Sequence, residues 1–346
     1  MQIDPLFPLS EIDRLRQVIN DARRVAIVCH ISPDGDALGS SLAMMHMMHR
    51  LGKTAHVVTP DTPPSSMDFL PGFSEIVVAT SNSEQARGLV ANCDLLFCLD
   101  FNSLKRIDKM APHVEGSRCG KVMIDHHIDP DMEVDLMFSD PRESSTCVLL
   151  YRVFKQLGMT EILDRTAAEC LLTGILTDTG GLAYNSLDPQ LYMVVAELVA
   201  RGVDKDQLYR RLFMTHSLDT IRLRSFALLE RMKIYPEHRA AVITLTADEL
   251  KQFNYVKGMT EGLVNVPLEI PEIVYSVFLR EDRERSFVKV SMRSKGSFPC
   301  DRFCSECFGG GGHENAAGGD IHATMPEALL AVEKAMDAYD KYLPSE

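Results

Sequence analysis

The sequence predicts an α/β protein of two domains: a parallel sheet with helices on both faces, then a smaller mixed α/β domain. Three observations predict it. The 346-residue chain exceeds what one hydrophobic core ordinarily serves. Through about residue 180, short continuous apolar runs alternate with segments of helical spacing, the pattern of strands covered by crossover helices. From about residue 237 the texture changes to antiparallel-type strands.

In order along the chain, residues 10–22 carry apolar groups at helical spacing, and Arg24–His30 (RVAIVCH) reads as a buried strand. Gly39–Leu51 reads as a helix, His56–Thr59 as a strand, and Asp94–Asp100 (DLLFCLD) as another buried strand. Lys121–Asp125 follows as a strand, then helices over about 145–157 and 164–177. The helical, charged stretch 185–233 holds the closing helices and a connecting one. RAAVITLT, EIVYSVFLRE and RSFVKVSMRS are the later strands, and PEALLAVEKAMDAYDKYL is a terminal helix. The expected divisions are a catalytic domain over 1–200, a helical linker over 201–233 and a second domain over 234–346.

Composition narrows the function. Hydrophobic content of 45% and charged content of 25% suit a water-soluble globular chain. No apolar run approaches bilayer-spanning length, and MQIDPLFPLSEIDRL lacks the basic end and apolar stretch of a signal peptide. Nine scattered cysteines fit a reducing compartment, so the expected location is cytoplasmic, with no membrane partner. A net charge of −13 repels long polyanions, because nucleic-acid affinity comes largely from cations neutralising phosphates. A phosphate-bearing substrate should therefore be short and held by a local positive site or by metal ions.

Candidate chemistry sits where apolar runs end. RVAIVCH leads into ISPDGDALGSS, placing His30, Asp34 and Asp36 at the carboxyl end of a strand, where open α/β sheets bind ligands. DLLFCLD ends at Asp100, VMIDHH at Asp125, His126 and His127, and the apolar run before TDTGG at Asp178. Any one of these could be a solvated strand end or a helix cap. Four together predict a cluster at one sheet edge. His30, Asp34, Asp36, Asp100, His126 and Asp178 form a carboxylate-rich set suited to Mn²⁺ or Mg²⁺, and six ligands suit two ions sharing a carboxylate.

HISPDGDALGS, CLDFN, IDHH and GILTDTG resemble, in order and rough spacing, the four motifs of the DHH phosphoesterase superfamily. The resemblance implies that His30 and Asp34 hold one Mn²⁺, that Asp36, His126 and Asp178 hold another, and that Asp100 bridges them. Mg²⁺ or Co²⁺ are the implied substitutes. Asp125 would orient a ligand histidine and His127 would face the substrate phosphate, so Asp100, Asp125 and His127 are the implied catalytic residues.

SMRS followed by GGGGHENAAGG is similar to the family's DHH-associated C-terminal domain. Glycines let a backbone approach an anion closely, and Arg is a natural phosphate partner. On that resemblance Arg293, Gly309, Gly310, Gly311, Gly312, His313 and Asn315 would grip the substrate across a closing cleft. Two alternatives are set aside. Cys300, Cys304, Cys307 and His313 offer only one C-x-x-C pair for a zinc site, and the Met and His of MMHMMHR suit a buried helix better than copper.

Within the superfamily, type II pyrophosphatases have a different second domain, RecJ-like exonucleases carry further domains, and membrane-bound cyclic-dinucleotide phosphodiesterases carry transmembrane and sensor regions. The compact two-domain form remains, similar to nano-RNases that also dephosphorylate 3′-phosphoadenosine 5′-phosphate (pAp). The implied function is Mn²⁺-dependent hydrolysis of short oligoribonucleotides to mononucleotides and of pAp to AMP, by two-metal activation of a bridging water. A stand-alone phosphodiesterase for c-di-AMP or pApA shares every catalytic residue and stays open. A non-catalytic nucleotide sensor is opposed by six competent ligand positions. The expected partners are short RNA or DNA oligonucleotides and small nucleotide phosphates, not long duplexes; a homodimer is compatible.

Overall fold

In the computed structural model, which describes residues 3–282 and 287–344, the apolar runs of the first part become parallel strands. These are β1 (Arg24–Val28), β2 (Thr54–Thr59), β3 (Val77–Val78), β4 (Leu95–Leu99), β5 (Gly120–Asp125) and β6 (Leu136–Ser139), in the order β3-β2-β1-β4-β5-β6. Alternate side chains serve opposite faces. Val25, Ile27, Phe97 and Leu99 join one core with helices α1 (Leu9–Asp21), α2 (Gly35–Arg50), α5 (Thr146–Leu157) and α6 (Arg165–Asp178). Ala26, Val28, Leu96 and Cys98 join the other with α3 (Ser83–Asn92) and α4 (Ala111–Glu115). Burial on both faces is why these strands read as unbroken apolar runs rather than alternating ones. The expected parallel α/β domain is what the chain forms.

The chain turns back between β1 and β4: β2 and β3 lie on one side of β1, and β4 to β6 on the other. The carboxyl ends of these two central strands therefore splay apart at a switch point, where open sheets leave a crevice. Asp100 follows the end of β4 directly, and His30 follows the end of β1 after one intervening residue.

Two further helices, α7 (Pro189–Ala200) and α8 (Lys205–Phe213), complete the first unit, Met1–Thr215. The second unit, His216–Glu346, begins with α9 (Leu218–Glu230), so the stretch 201–233 divides between the units. Its strands are β7 (Met232–Tyr235), β8 (Ala240–Leu245), β9 (Tyr275–Asp282), β10 (Phe287–Ser294), β11 (Gly311–His313) and β12 (Ala316–Ile321). They form a mixed sheet ordered β11-β12-β10-β9-β8-β7, in which only β8 and β9 pair in parallel. Of the run RSFVKVSMRS, Arg285 and Ser286 lie outside the described residues. Helices α11 (Cys300–Phe308) and α12 (Met325–Tyr339) cover one face; α9 and α10 (Ala247–Gln252) cover the other.

The set-aside motifs resolve as core. Met44, Met45, Met47 and Met48 are buried in α2, and the Nε2 atoms of His46 and His49 each meet a backbone carbonyl, Pro71 O at 3.0 Å and Ala55 O at 2.9 Å. Cys300 and Cys304 are buried on α11 while Cys307 faces outward, and no metal-competent cluster among the described residues includes them. Among the described residues no helix is long and apolar enough to cross a membrane.

Candidate active site

Each side chain of the site is delivered by an element end. Asp34 caps α2, its Oδ1 accepting from the amides of Asp36 and Ala37 at 3.0 Å each, which leaves Oδ2 free to face His30. Asp36, in the first turn of α2, is fully buried. Its oxygens accept from the leading amides of α5, Thr146 N at 2.6 Å and Cys147 N at 2.9 Å. A helix amino terminus is a suitable neighbour for a buried carboxylate.

Asp100 follows β4 in the left-handed region, φ 63°, a conformation Asp tolerates better than most residues. Its N–H donates to Ile124 O at 3.1 Å, and its Oδ1 accepts from Thr146 Oγ1 at 2.8 Å. Asp178 is the last residue of α6, the helix expected over about 164–177. That helix reaches Asp36 because two glycines let α2 and α6 approach. A Cβ on Gly174 would sit 2.6 Å from Asp36 Oδ1, and one on Gly39 would sit 2.5 Å from Cys170 O.

The two histidines facing the acids are oriented alike. His30 Nδ1 donates to Ile31 O at 2.7 Å, and His126 Nδ1 donates to Glu143 O at 3.1 Å. Each Nε2 is thereby aimed at carboxylates. His30 Nε2 lies 3.4 Å from Asp100 Oδ2 and 3.7 Å from Asp34 Oδ2. His126 Nε2 lies 3.5 Å from Asp178 Oδ2, 3.8 Å from Asp100 Oδ1 and 4.0 Å from Asp36 Oδ2. Two groups able to hold a metal ion match the expected ligands, His30–Asp34–Asp100 and Asp36–His126–Asp178, and a third, Asp100–His126–His127, overlaps both sides of Asp100. Asp100 offers one oxygen to each of the first two.

Asp125 takes a different partner from the one expected. It accepts from the backbone N–H of His127 at 3.0 Å and from its Nδ1 at 2.7 Å, while the Glu143 carbonyl orients the ligand-position His126. The two adjacent rings pack edge to face, at an interplanar angle of 64°. Glu143 is itself fixed by a buried pairing with Arg152.

The electrostatics call for cations. Burial, reinforced by the charges of Asp100 and Asp178, drives the Asp36 carboxyl well above its ordinary range. Burial, with Asp100 and Asp34 adding, pushes Asp178 up to about 8. Burial opposes charge on His30, yet the facing carboxylates, Asp100 first and then Asp34, outweigh it and raise the imidazole to about 10. For Asp34, burial acts upward but His30 wins and holds it at about 2. Four carboxylates cannot all ionise here without compensating positive charge, and divalent ions supply it more compactly than protons. The buried His30 Nε2 has no hydrogen-bond partner, as a ligand nitrogen requires, and the oxygen-rich donor set fits hard cations.

The second unit places the other expected residues. Arg293 on β10 and His313 on β11 both stand in register with Ala316, so they share one face across three strands. The second half of the glycine run, Gly311 and Gly312, enters the edge strand β11. Gly309 ends α11 in the left-handed conformation, and a Cβ on Gly310 would fall 1.9 Å from Gly318 O. Asn315 is committed locally, its Nδ2 donating to Ser294 Oγ at 2.9 Å and Gly296 O at 2.8 Å.

Glu143 and Thr146 belong to the site but were not singled out from sequence. Their signal was the capping stretch ESST before an apolar helix, in which Ser145 accepts from Val148 N at 3.1 Å.

Comparisons with known proteins define the class. The bifunctional oligoribonuclease and PAP phosphatase NrnA of Thermus thermophilus is 31% identical over 326 residues, 90% of each chain. The cyclic-di-AMP phosphodiesterase PdeA of Listeria monocytogenes is 25% identical over 94% of this chain and 49% of its own. The crystal structure of an exopolyphosphatase-related protein from Bacteroides fragilis is 40% identical, with a TM-score of 0.92 over 98% of this chain and 99% of that one. The protein is a phosphoesterase, a hydrolase of phosphate esters. Models of the DHH family N-terminal domain and of the DHHA1 domain match residues 24–175 and 240–343, and the chain belongs to the DHH family. The resemblance read from the four motifs and the glycine run is borne out.

Proposed function

We propose that the protein is a Mn²⁺-dependent phosphoesterase that hydrolyses short oligoribonucleotides to mononucleotides and pAp to AMP. The carrying observation is that Asp100 turns one oxygen to each of two ligand groups. Two Mn²⁺ ions, with Mg²⁺ or Co²⁺ as substitutes, would be held by His30, Asp34, Asp36, Asp100, His126 and Asp178. When bound they would supply Lewis acidity and an activated water near neutral pH.

The chain's own residues prepare that chemistry. Thr146 and the Ile124 carbonyl hold Asp100 in its left-handed pose, and the leading amides of α5 hold Asp36. Backbone carbonyls keep a lone pair on each ligand Nε2. His127, steadied by Asp125, keeps its Nε2 available to donate to a phosphoryl oxygen when protonated. Arg293, His313 and the outward edge of β11 form the cationic and amide-bearing surface that we assign to the substrate's remaining phosphate or nucleotide. The names of the NrnA relatives support this substrate range.

A second reading is hydrolysis of c-di-AMP or its linear product pApA, favoured by the PdeA relative. One experiment separates the two. Labelled RNA from dimers to chains longer than about 20 nucleotides, pAp, pApA and c-di-AMP are incubated with Mn²⁺ and then with EDTA. Rapid, EDTA-sensitive loss of dimers and pAp, with long RNA and c-di-AMP spared, is the expected result. Preferential loss of c-di-AMP would transfer the assignment, and no cleavage of any substrate would refute both.

A further inference from the structure

The opposite end of the first sheet carries a second constellation that the phosphoesterase chemistry does not use. Cys93 ends α3 two residues before β4, and Cys119 stands one residue before β5. These strands are hydrogen-bonded neighbours, in register from Leu95 and Gly120. Backbones of paired strands run about 4.8 Å apart, within the span a disulfide bridges. The two sulfurs lie 3.1 Å apart, and Ser117 Oγ lies 3.1 Å from Cys119 Sγ.

The pair is asymmetric and reachable. The Cys93 thiol donates to Cys119, lowering the Cys119 pKa against the effect of burial, with Ser117 and Lys121 adding to the same side. The same contact, with burial, pushes Cys93 upward. Thiolate character therefore collects on Cys119, with a protonated thiol beside it. Both residues are half-buried, whereas Cys29, Cys98, Cys147, Cys170, Cys300 and Cys304 are buried and only Cys307 is exposed.

We propose that Cys93 and Cys119 form a reversible redox pair, oxidised to an intramolecular disulfide by small peroxides and reduced again by low-molecular-weight thiols. The Cys119 thiolate attacks a peroxide oxygen, breaking the O–O bond and leaving a sulfenic acid and one water. Cys93 sulfur then attacks the Cys119 sulfur, expelling the second water and closing the S–S bond. In sum, two thiols and one H₂O₂ give one disulfide and two waters, a two-electron oxidation. Two small thiols reverse it, returning both hydrogens and leaving as their own disulfide.

The bond joins the starts of β4 and β5. Asp100 follows the other end of β4 and the Asp125–His127 triplet begins at the last residue of β5, so the cross-link forms without touching a metal-ligand candidate.

The test uses the full chain, with stoichiometric H₂O₂, alkylation of the remaining thiols and peptide mapping. The expected result is a linked Cys93–Cys119 peptide, loss of two of the nine free thiols, and full reversal by dithiothreitol. Cys307 should remain alkylatable. In Cys93→Ser, which has no resolving thiol, Cys119 should instead accumulate as a dimedone-reactive sulfenic acid absent from the wild type. If Cys307 is oxidised while Cys93 and Cys119 remain free, the proposal is overturned. A Cys93→Ser protein whose Cys119 stays unmodified under the same treatment would overturn the assignment of Cys119 as the attacking sulfur.

Discussion

Asp100 concentrates the chemistry of the site in one residue. Its backbone sits in the left-handed region, its N–H is tied to β5, and its carboxylate points one oxygen at each histidine. Replacing it with Ala should lower kcat on pAp by about 10³-fold or more, since both ligand groups lose their shared member. Asp100→Asn tolerates the same backbone, so an equal loss in that variant would isolate the charge from the conformation. Divalent-ion binding should also be visible without turnover. Mn²⁺ at about a hundred times its Kd adds ~2.7 kcal/mol of stability, a rise in Tm on the order of 5 °C. Asp178→Asn should lose most of that rise while keeping its fold. A thermal melt that ignores Mn²⁺ in the wild type would refute the ion sites.

Elements place these residues, and two sites test how. Asp94 joins the starts of β1 and β4, accepting from Arg23 N at 3.1 Å, Arg24 N at 2.8 Å and Arg24 Nη2 at 2.8 Å. Those contacts, the Arg24 side chain first, hold the Asp94 carboxyl well below its ordinary range. A depressed folded-state pKa means the unfolded chain binds the proton more readily, so this stabilisation is present above about pH 4 and fades as pH falls through the folded value. Asp94→Asn should therefore melt below the wild type at pH 7, and chemical or thermal denaturation should show the gap closing in acid. In the second sheet, a Cβ at Gly310 would collide with Gly318 O, whereas one at Gly311 would meet nothing within 4 Å. Gly310→Ala should cost about 2 kcal/mol or more, measured by urea denaturation; Gly311→Ala should be close to neutral in the same assay. Equal effects would contradict this placement of the glycine run.

Across the whole molecule, a net charge of −13 opposes long polyanions, so the proposed substrates are ones with few phosphates. Plots of log KM for a dinucleotide against log salt should have a slope of about 1, from neutralising one or two phosphates of a single strand. A slope of several would reveal an extended track for long chains.

Much was legible beforehand. Continuous apolar runs announced doubly covered strands, and polar residues at their ends announced a site at the sheet's carboxyl edge. All six expected metal-ligand residues converge in the two groups around Asp100. Shorter or plainer elements were not legible: β3 has only two residues, α3 has a weakly apolar sequence, and α11 was hidden among cysteines and glycines.

Local sequence marked which residues are candidates for chemistry, because strand ends, caps and glycine pairs are written in neighbouring residues. Only the tertiary structure decided which partner each one meets. Asp125 serves His127 rather than one of the expected ligand histidines, and Thr146 and the Glu143 carbonyl reach the site from more than ten residues away in the chain. Asn315 holds a turn, and the second half of the glycine run pairs as a strand. The reason is physical: a residue's type limits the bonds it can make, but long-range packing, such as α2 against α6 through Gly39 and Gly174, selects which of them form.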